Sequence, residues 1–108
     1  MMTAMPRRGE LEQTIMEILW ATPGPLTVAD VLARLNEDRD LAYTTVMTVL
    51  DRLAKKGLAA RERVDRAWHY RAADPQAVVA AREIVEDLRG LPDDVRAEAL
   101  RLVEAELR

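Results

Sequence analysis

The sequence has 108 residues, of which 49% are hydrophobic and 32% charged, a balance typical of one folded domain. It contains no cysteine, which excludes disulfide bonds and thiolate metal sites. Serine and phenylalanine are also absent, and the single histidine, His69, has no partner at the spacing of metal ligands, so no metal or other cofactor is expected. Because most hydrolases and transferases use cysteine, serine or histidine as nucleophile or base, we do not expect an enzyme.

The net charge of −3 is unevenly distributed along the chain. Residues 41–71 carry seven basic and three acidic side chains, a net charge of +4, whereas residues 1–40 carry −3 and residues 72–108 carry −4. A basic segment in an acidic protein leaves one face for phosphates while keeping non-specific affinity low. No signal peptide is recognisable, and no apolar stretch approaches the roughly 20 residues of a membrane span, which predicts a cytoplasmic protein without a membrane partner.

Two short amphipathic helices are predicted in the first forty residues. Apolar side chains recur at helical spacing from Glu10 to about Trp20, and again from Val28 to Leu35. Thr27 is in the position of an N-cap for the second helix, and Asp30, three residues later, is in the position of the capping-box acid.

A third helix is predicted from about Tyr43 to Lys56, with Gly57 just past its end. Its apolar side carries Val46, Val49, Leu50 and Leu53. Met47 lies at the border of this side; it could touch a thymine methyl, but we assign it to the core.

The opposite side of this helix carries short hydroxyls followed by cations. This pattern is typical of a helix that reads the major groove of DNA, although such residues also serve as caps and solvated positions. Asp51 shares this side and suits DNA poorly, unless it accepts from cytosine N4 or pairs with Lys55. Thr44, Thr48 and Lys55 lie on this side, with Thr45 and Arg52 on its flank.

Two short antiparallel strands are predicted next, at about Leu58–Arg63 and Ala67–Arg71, joined by a tight turn at residues 64–66. The arginines of this hairpin either approach DNA phosphates or keep an exposed sheet edge soluble. We interpret Trp68 and Tyr70 as side chains that pack from the hairpin onto the core.

The last third of the chain predicts two helices, at about residues 75–89 and 93–107. Their apolar stripes are too large to leave exposed on so small a fold, so we expect two protomers to pair through them. The residues assigned to this homodimer contact are Val78, Ala81, Ile84, Val85, Leu88, Val95, Ala99, Leu102 and Val103.

Three helices, a hairpin and two further helices form the order of a winged helix-turn-helix domain with a carboxy-terminal helical dimerisation region. The expected fold class is mainly α with a minor β component. We expect a flexible tail over residues 1–8, a DNA-binding domain over residues 9–73 and a dimerisation region over residues 74–108.

The segment Leu41–Leu58, LAYTTVMTVLDRLAKKGL, resembles the recognition helix of the penicillinase-repressor family, the BlaI, MecI and CopY type. Residues 12–20, 26–32 and 66–71 are similar to its first two helices and its wing. The resemblance covers roughly residues 9–72 and implies a homodimeric repressor of a palindromic operator with TACA/TGTA-type half-sites, near genes of antibiotic, metal or stress response. The residues then assigned to DNA contact are Tyr43, Thr44, Thr45, Thr48, Arg52, Lys55, Arg63 and Arg66.

The carboxy-terminal third departs from the best-known members of this family. Receptor-controlled relatives are cut at an Asn-Phe bond by a membrane metalloprotease, but this sequence has no phenylalanine and its one asparagine is Asn36. Copper-responsive relatives carry a cysteine cluster, which is absent. The target genes, the inducing signal and a sensor protease partner therefore stay open. Two alternatives also remain: a winged-helix module that binds an acidic protein, and a regulator that senses a small ligand.

Overall fold

The computed structural model describes residues 9–108, so the predicted tail 1–8 lies outside the described residues. The elements are α1 (Glu10–Ala21), β1 (Leu26–Thr27), α2 (Val28–Leu35), α3 (Tyr43–Lys55), β2 (Ala59–Val64), β3 (Ala67–Ala72), α4 (Gln76–Leu88) and α5 (Asp93–Leu107). The chain divides into a first unit that ends at Pro75 and a second unit, Gln76–Arg108. The five predicted helices and the hairpin are confirmed.

The start of α2 is fixed by a reciprocal capping box, as the sequence predicted. The Asp30 backbone N–H donates to the Thr27 hydroxyl oxygen at 3.1 Å, and the Thr27 backbone N–H donates to the Asp30 carboxylate at 3.0 Å. These two bonds pair donors that the first turn of a helix would otherwise leave unsatisfied. The hydrogen bonds from Thr27, the backbone one foremost, lower the pKa of Asp30.

The end of α3 is fixed by Gly57, which has a φ of +79°. The Gly57 N–H donates to the Ala54 carbonyl at 3.1 Å, and the Leu58 N–H donates to the Leu53 carbonyl at 3.0 Å. This pair of bonds is a Schellman motif, in which the left-handed position favours glycine. The motif turns the chain directly from α3 into β2.

The sheet has three antiparallel strands in the order β1-β3-β2. Asp65 and Arg66 form the two-residue turn between β2 and β3, with φ values of +51° and +69°. This turn sets a register in which Arg61 is opposite Tyr70 and Arg63 is opposite Trp68. Strand β1 was not predicted, because two residues after a proline-rich turn show no alternation.

The core of the first unit lies between the three helices and the sheet. All four predicted apolar residues of α3 are buried in it, and Tyr70 is 1% exposed. The assignment of Met47 to the core was wrong, since its side chain is 42% exposed. At 100° per residue, Met47 lies about 60° beyond Leu50, outside the arc that faces the core.

In the second unit, α4 and α5 leave most of their large apolar side chains exposed, although Val79 is buried. The Arg96 guanidinium donates to the Leu91 carbonyl at 2.9 Å and to the Asp93 carboxylate at 3.1 Å, which ties the first turn of α5 to the preceding loop. Within residues 9–108, none of the helices combines the length and the hydropathy that a membrane crossing requires.

Candidate nucleic-acid interface

The amino-terminal half of α3 presents hydroxyl groups and one thioether to solvent. Tyr43, Thr44, Thr45, Met47 and Thr48 are all exposed, because the buried stripe of α3 occupies its other side. The Thr48 hydroxyl donates to the Thr44 carbonyl at 2.8 Å, so its lone pairs and methyl group are left for an external contact. A surface of this kind can accept hydrogen bonds from base amino groups and pack against thymine methyls.

The carboxy-terminal end of α3 is anchored by a buried carboxylate that the sequence reasoning missed. Glu12 of α1 is 5% exposed, and its two carboxylate oxygens accept from the Lys56 ammonium at 3.0 and 3.1 Å. The Arg52 guanidinium, which is half exposed, lies 3.8 Å from the same carboxylate. Because a buried charge needs a partner of opposite sign, this pairing fixes how α3 lies on α1. Arg52, a predicted DNA contact, is therefore turned toward Glu12.

A signal for Glu12 was present in the sequence. It precedes Ile15, Met16 and Leu19 by three, four and seven residues, and all three are buried. Glu12 thus continues the buried stripe of α1 rather than its solvated side.

A second carboxylate, Asp51, links α3 to the wing formed by β2 and β3. Its Oδ2 lies 3.1 Å from the Lys55 ammonium, and its Oδ1 accepts from the Arg61 guanidinium at 3.0 Å. The predicted pairing of Asp51 with Lys55 is confirmed. The hydrogen bond from Arg61 was not predicted. The hydrogen bond from Lys55, foremost, lowers the pKa of Asp51.

Trp68 does not pack on the core, which corrects its interpretation from the sequence. It is 37% exposed, with the Arg61 guanidinium 4.2 Å and the Arg63 guanidinium 5.6 Å from its ring centroid. Trp68 lies two residues closer to the hairpin turn than Tyr70, beyond the layer that the helices cover. The two arginines therefore stack on its exposed ring.

The tip of the wing carries Arg66 at the second position of the two-residue turn, fully on the surface. Every residue assigned to DNA contact is thus exposed on α3 or on the wing. Within residues 9–108, no group of three or more His, Asp or Glu side chains is placed to hold a metal ion.

The residues assigned to protomer pairing all lie on α4 and α5. Seven of them are exposed, whereas Leu88 and Ala99 are partly buried. Two large apolar side chains outside the assigned set, Leu100 and Leu107, are exposed as well. A cleft of about 290 Å³ between the two helices is lined partly by Ile84 and Leu100.

A family model described as "Penicillinase repressor" matches residues 8–103. The chain belongs to the penicillinase-repressor family. This family is one of repressors rather than enzymes, as the sequence predicted.

The chain is similar to the transcriptional regulator BlaI of Mycobacterium tuberculosis, with 52% identity over 69 residues, which are 64% of this chain and 50% of that protein. An uncharacterised 16.5 kDa protein of Latilactobacillus sakei is 30% identical over 83 residues, covering 74% of this chain and 56% of that protein. The chain therefore spans about half the length of the curated relatives it matches.

Two solved structures share the fold. The DNA-binding domain of the repressor BlaI superposes with a TM-score of 0.58 at 22% identity, over 70% of this chain and 92% of that one. Monomeric BlaI of Bacillus licheniformis, solved in complex with the blaP half-operator, gives a TM-score of 0.54 at 22% identity over the same shares. Both confirm the winged-helix fold of this penicillinase-repressor chain.

Proposed function

We propose that this chain is a sequence-specific DNA-binding repressor that binds a palindromic operator with TACA/TGTA-like half-sites as a homodimer. The observation that carries the proposal is the exposed threonine face of α3, bordered by the cations of α3 and of the wing. Family membership and the half-operator complex of the B. licheniformis relative support it.

The exposed side chains divide by chemistry into two groups. Tyr43, Thr44, Thr45 and Thr48 lie near the start of α3 and face the base edges, where short hydroxyls discriminate between base pairs. The cations fix the register of the protein on the duplex through phosphate contacts, which carry no base information. These cations are Arg52, Lys55, Arg63 and Arg66.

In this proposal residues 9–73 bind DNA, and residues 74–108 join two protomers through the exposed stripes of α4 and α5. Joining two recognition helices raises the effective concentration for the second half-site, and two-fold symmetry requires an inverted repeat. Repression follows from occupancy of the operator of antibiotic- or stress-response genes in the cytoplasm. Release by a sensor protease would use a bond other than Asn-Phe, because the sequence has no phenylalanine.

The test is fluorescence anisotropy of the full chain with a labelled TACA/TGTA inverted repeat and with a scrambled duplex. The wild type is expected to prefer the repeat, and Thr48→Ala to reduce that preference by about tenfold, the loss of about one base contact. Thr14→Ala is the matched control, because Thr14 on α1 makes the same bond to the carbonyl four residues earlier, at 3.0 Å.

Weak binding of the wild type to both duplexes at low salt would contradict DNA binding and favour a protein-interaction module. An unchanged preference in Thr48→Ala would remove Thr48 from the base-reading set.

A further inference from the structure

The surface proposed to face DNA contains an acidic group at its centre. Asp51 lies on α3 among the cations and holds two of them, Lys55 one turn later on the same helix and Arg61 on β2. Each carboxylate oxygen is occupied by a different cation, Oδ1 by Arg61 and Oδ2 by Lys55. A cytosine amino group could therefore reach Asp51 only by sharing an oxygen with Lys55 or Arg61 or by displacing one of them.

The two cations are held to different degrees. Lys55 is largely exposed and is bound by Asp51 alone among the contacts that the structure gives it, whereas Arg61 is partly covered and also stacks over the Trp68 ring at 4.2 Å. Exposed ion pairs of this kind are weak and are screened by salt, so a phosphate can displace the carboxylate. Both cations therefore remain available to a phosphate, and Lys55 is released more easily than Arg61.

A DNA phosphate has the same sign of charge as Asp51 and competes with it for both cations. On any duplex the DNA backbone must approach the Asp51 carboxylate and replace it as the partner of Lys55 and Arg61. This cost lowers the contribution of the two cations to binding that depends on charge alone. On the operator, base contacts by the threonines of α3 fix the register of the protein. On other DNA the protein settles where its cations reach the most phosphates, so the competition with Asp51 weakens non-operator binding more.

We infer that Asp51 is a specificity-determining residue of the DNA interface. Its carboxylate retains Lys55 and Arg61 and thereby suppresses binding to non-operator DNA more than binding to the operator. The inference rests on the proposed DNA-binding function and deepens it. Because Asp51 lowers the net positive charge of the surface that faces DNA, recognition of the operator depends more on the base contacts.

The experiment compares wild type, Asp51→Asn and Glu62→Gln by anisotropy titration on operator and scrambled duplexes over a series of salt concentrations. Glu62→Gln removes the same charge from the neighbour of Arg61. In the alternation of β2, however, Glu62 is opposite His69 and lies on the other face of the sheet from Arg61.

Asp51→Asn is expected to tighten binding to scrambled duplex by about tenfold and to steepen its salt dependence by about one to two released counterions, as one or both cations become available. Operator binding is expected to tighten less, so the preference for the operator falls. Glu62→Gln is expected to leave the preference at its wild-type value. In the double variant Asp51→Asn/Arg61→Gln, which has the wild-type net charge, the salt dependence is expected to return toward the wild-type slope.

Three outcomes would overturn the inference alone, with wild type still preferring the operator. They are an unchanged preference in Asp51→Asn, an equal effect of Glu62→Gln, and a selective loss of operator binding, which would mean that Asp51 reads a base. If wild type shows no preference for the operator, the proposed function itself fails, and the inference fails with it.

Discussion

The two units of the chain bury their apolar side chains to different extents. In the first unit, one cluster joins the three helices and the sheet, and from residue 9 onward the exposed large apolar side chains lie on α3 and the wing. In the second unit, both helices expose such residues along their length, from Val78 on α4 to Leu107 on α5. Periodic spacing predicted helices equally well in both units, because it identifies the apolar side of a helix but not what covers that side.

This difference in burial indicates which unit can fold by itself and which unit needs a partner to cover its apolar side chains. The first unit contains a complete core, so its fold is expected to be independent of the second. The second unit leaves apolar area in water, a feature typical of surfaces that associate. Three measurements test this difference between the units.

Removal of Gln76–Arg108 tests the independence of the first unit and has the largest expected effect. The shortened chain keeps every residue of the core cluster and is expected to unfold cooperatively as a monomer. Its affinity for the inverted repeat is expected to fall by about 10²- to 10⁴-fold, because the second half-site is no longer joined to the first. Thermal unfolding, sedimentation and anisotropy measure these properties. Full affinity in the shortened chain would contradict the role of the second unit.

Matched leucine truncations compare the two units directly. Leu50 is 0% exposed, so Leu50→Ala is expected to lower the free energy of unfolding by about 2–5 kcal/mol at any protein concentration. Leu102 is 61% exposed, so Leu102→Ala is expected to cost less than about 0.5 kcal/mol within one chain.

The second variant is instead expected to weaken self-association, measured by sedimentation over a range of concentrations. An equal loss of stability in both variants at low concentration would mean that the second unit is as well packed as the first.

Two adjacent lysines test how far the first unit depends on its buried carboxylate. Lys56→Ala removes the closest partner of Glu12 and is expected to cost about 2 kcal/mol of unfolding free energy. Lys55→Ala removes the same charge but breaks only an exposed pair, with an expected cost below about 0.5 kcal/mol. Urea unfolding measures both. Similar costs would show that Glu12 is stabilised by other means.

Most of the fold could be predicted from spacing and capping signals. The turn at Gly57 that follows α3 and the capping box at Thr27 follow from local chemistry, which the sequence displays directly. Strand β1 could not be predicted, because it exists only through its pairing with Tyr70 and His69 of a distant strand. Met47 was misassigned because a border position on a helix is decided by the width of the surface packed against it.

The polar part of the candidate interface was less accessible to prediction. Exposure of the threonines on α3 follows from the apolar stripe opposite them. The bond between Asp51 and Arg61 joins a helix to a strand, so it depends on hairpin register as well as on spacing. The turn predicted at residues 64–66 would have placed Arg61 opposite His69, whereas the observed two-residue turn at Asp65 and Arg66 places it opposite Tyr70.

The hairpin turn places a charged side chain, Arg66, in a backbone conformation that arginine rarely adopts. Asn-Gly forms such a turn with little strain, whereas an arginine in the left-handed region costs about 1 kcal/mol. Here local backbone preference and the global fold disagree, and such disagreements tend to occur where a side chain is retained for its function rather than for stability. The tip of the wing thus carries a guanidinium at a position where backbone preference alone would favour glycine.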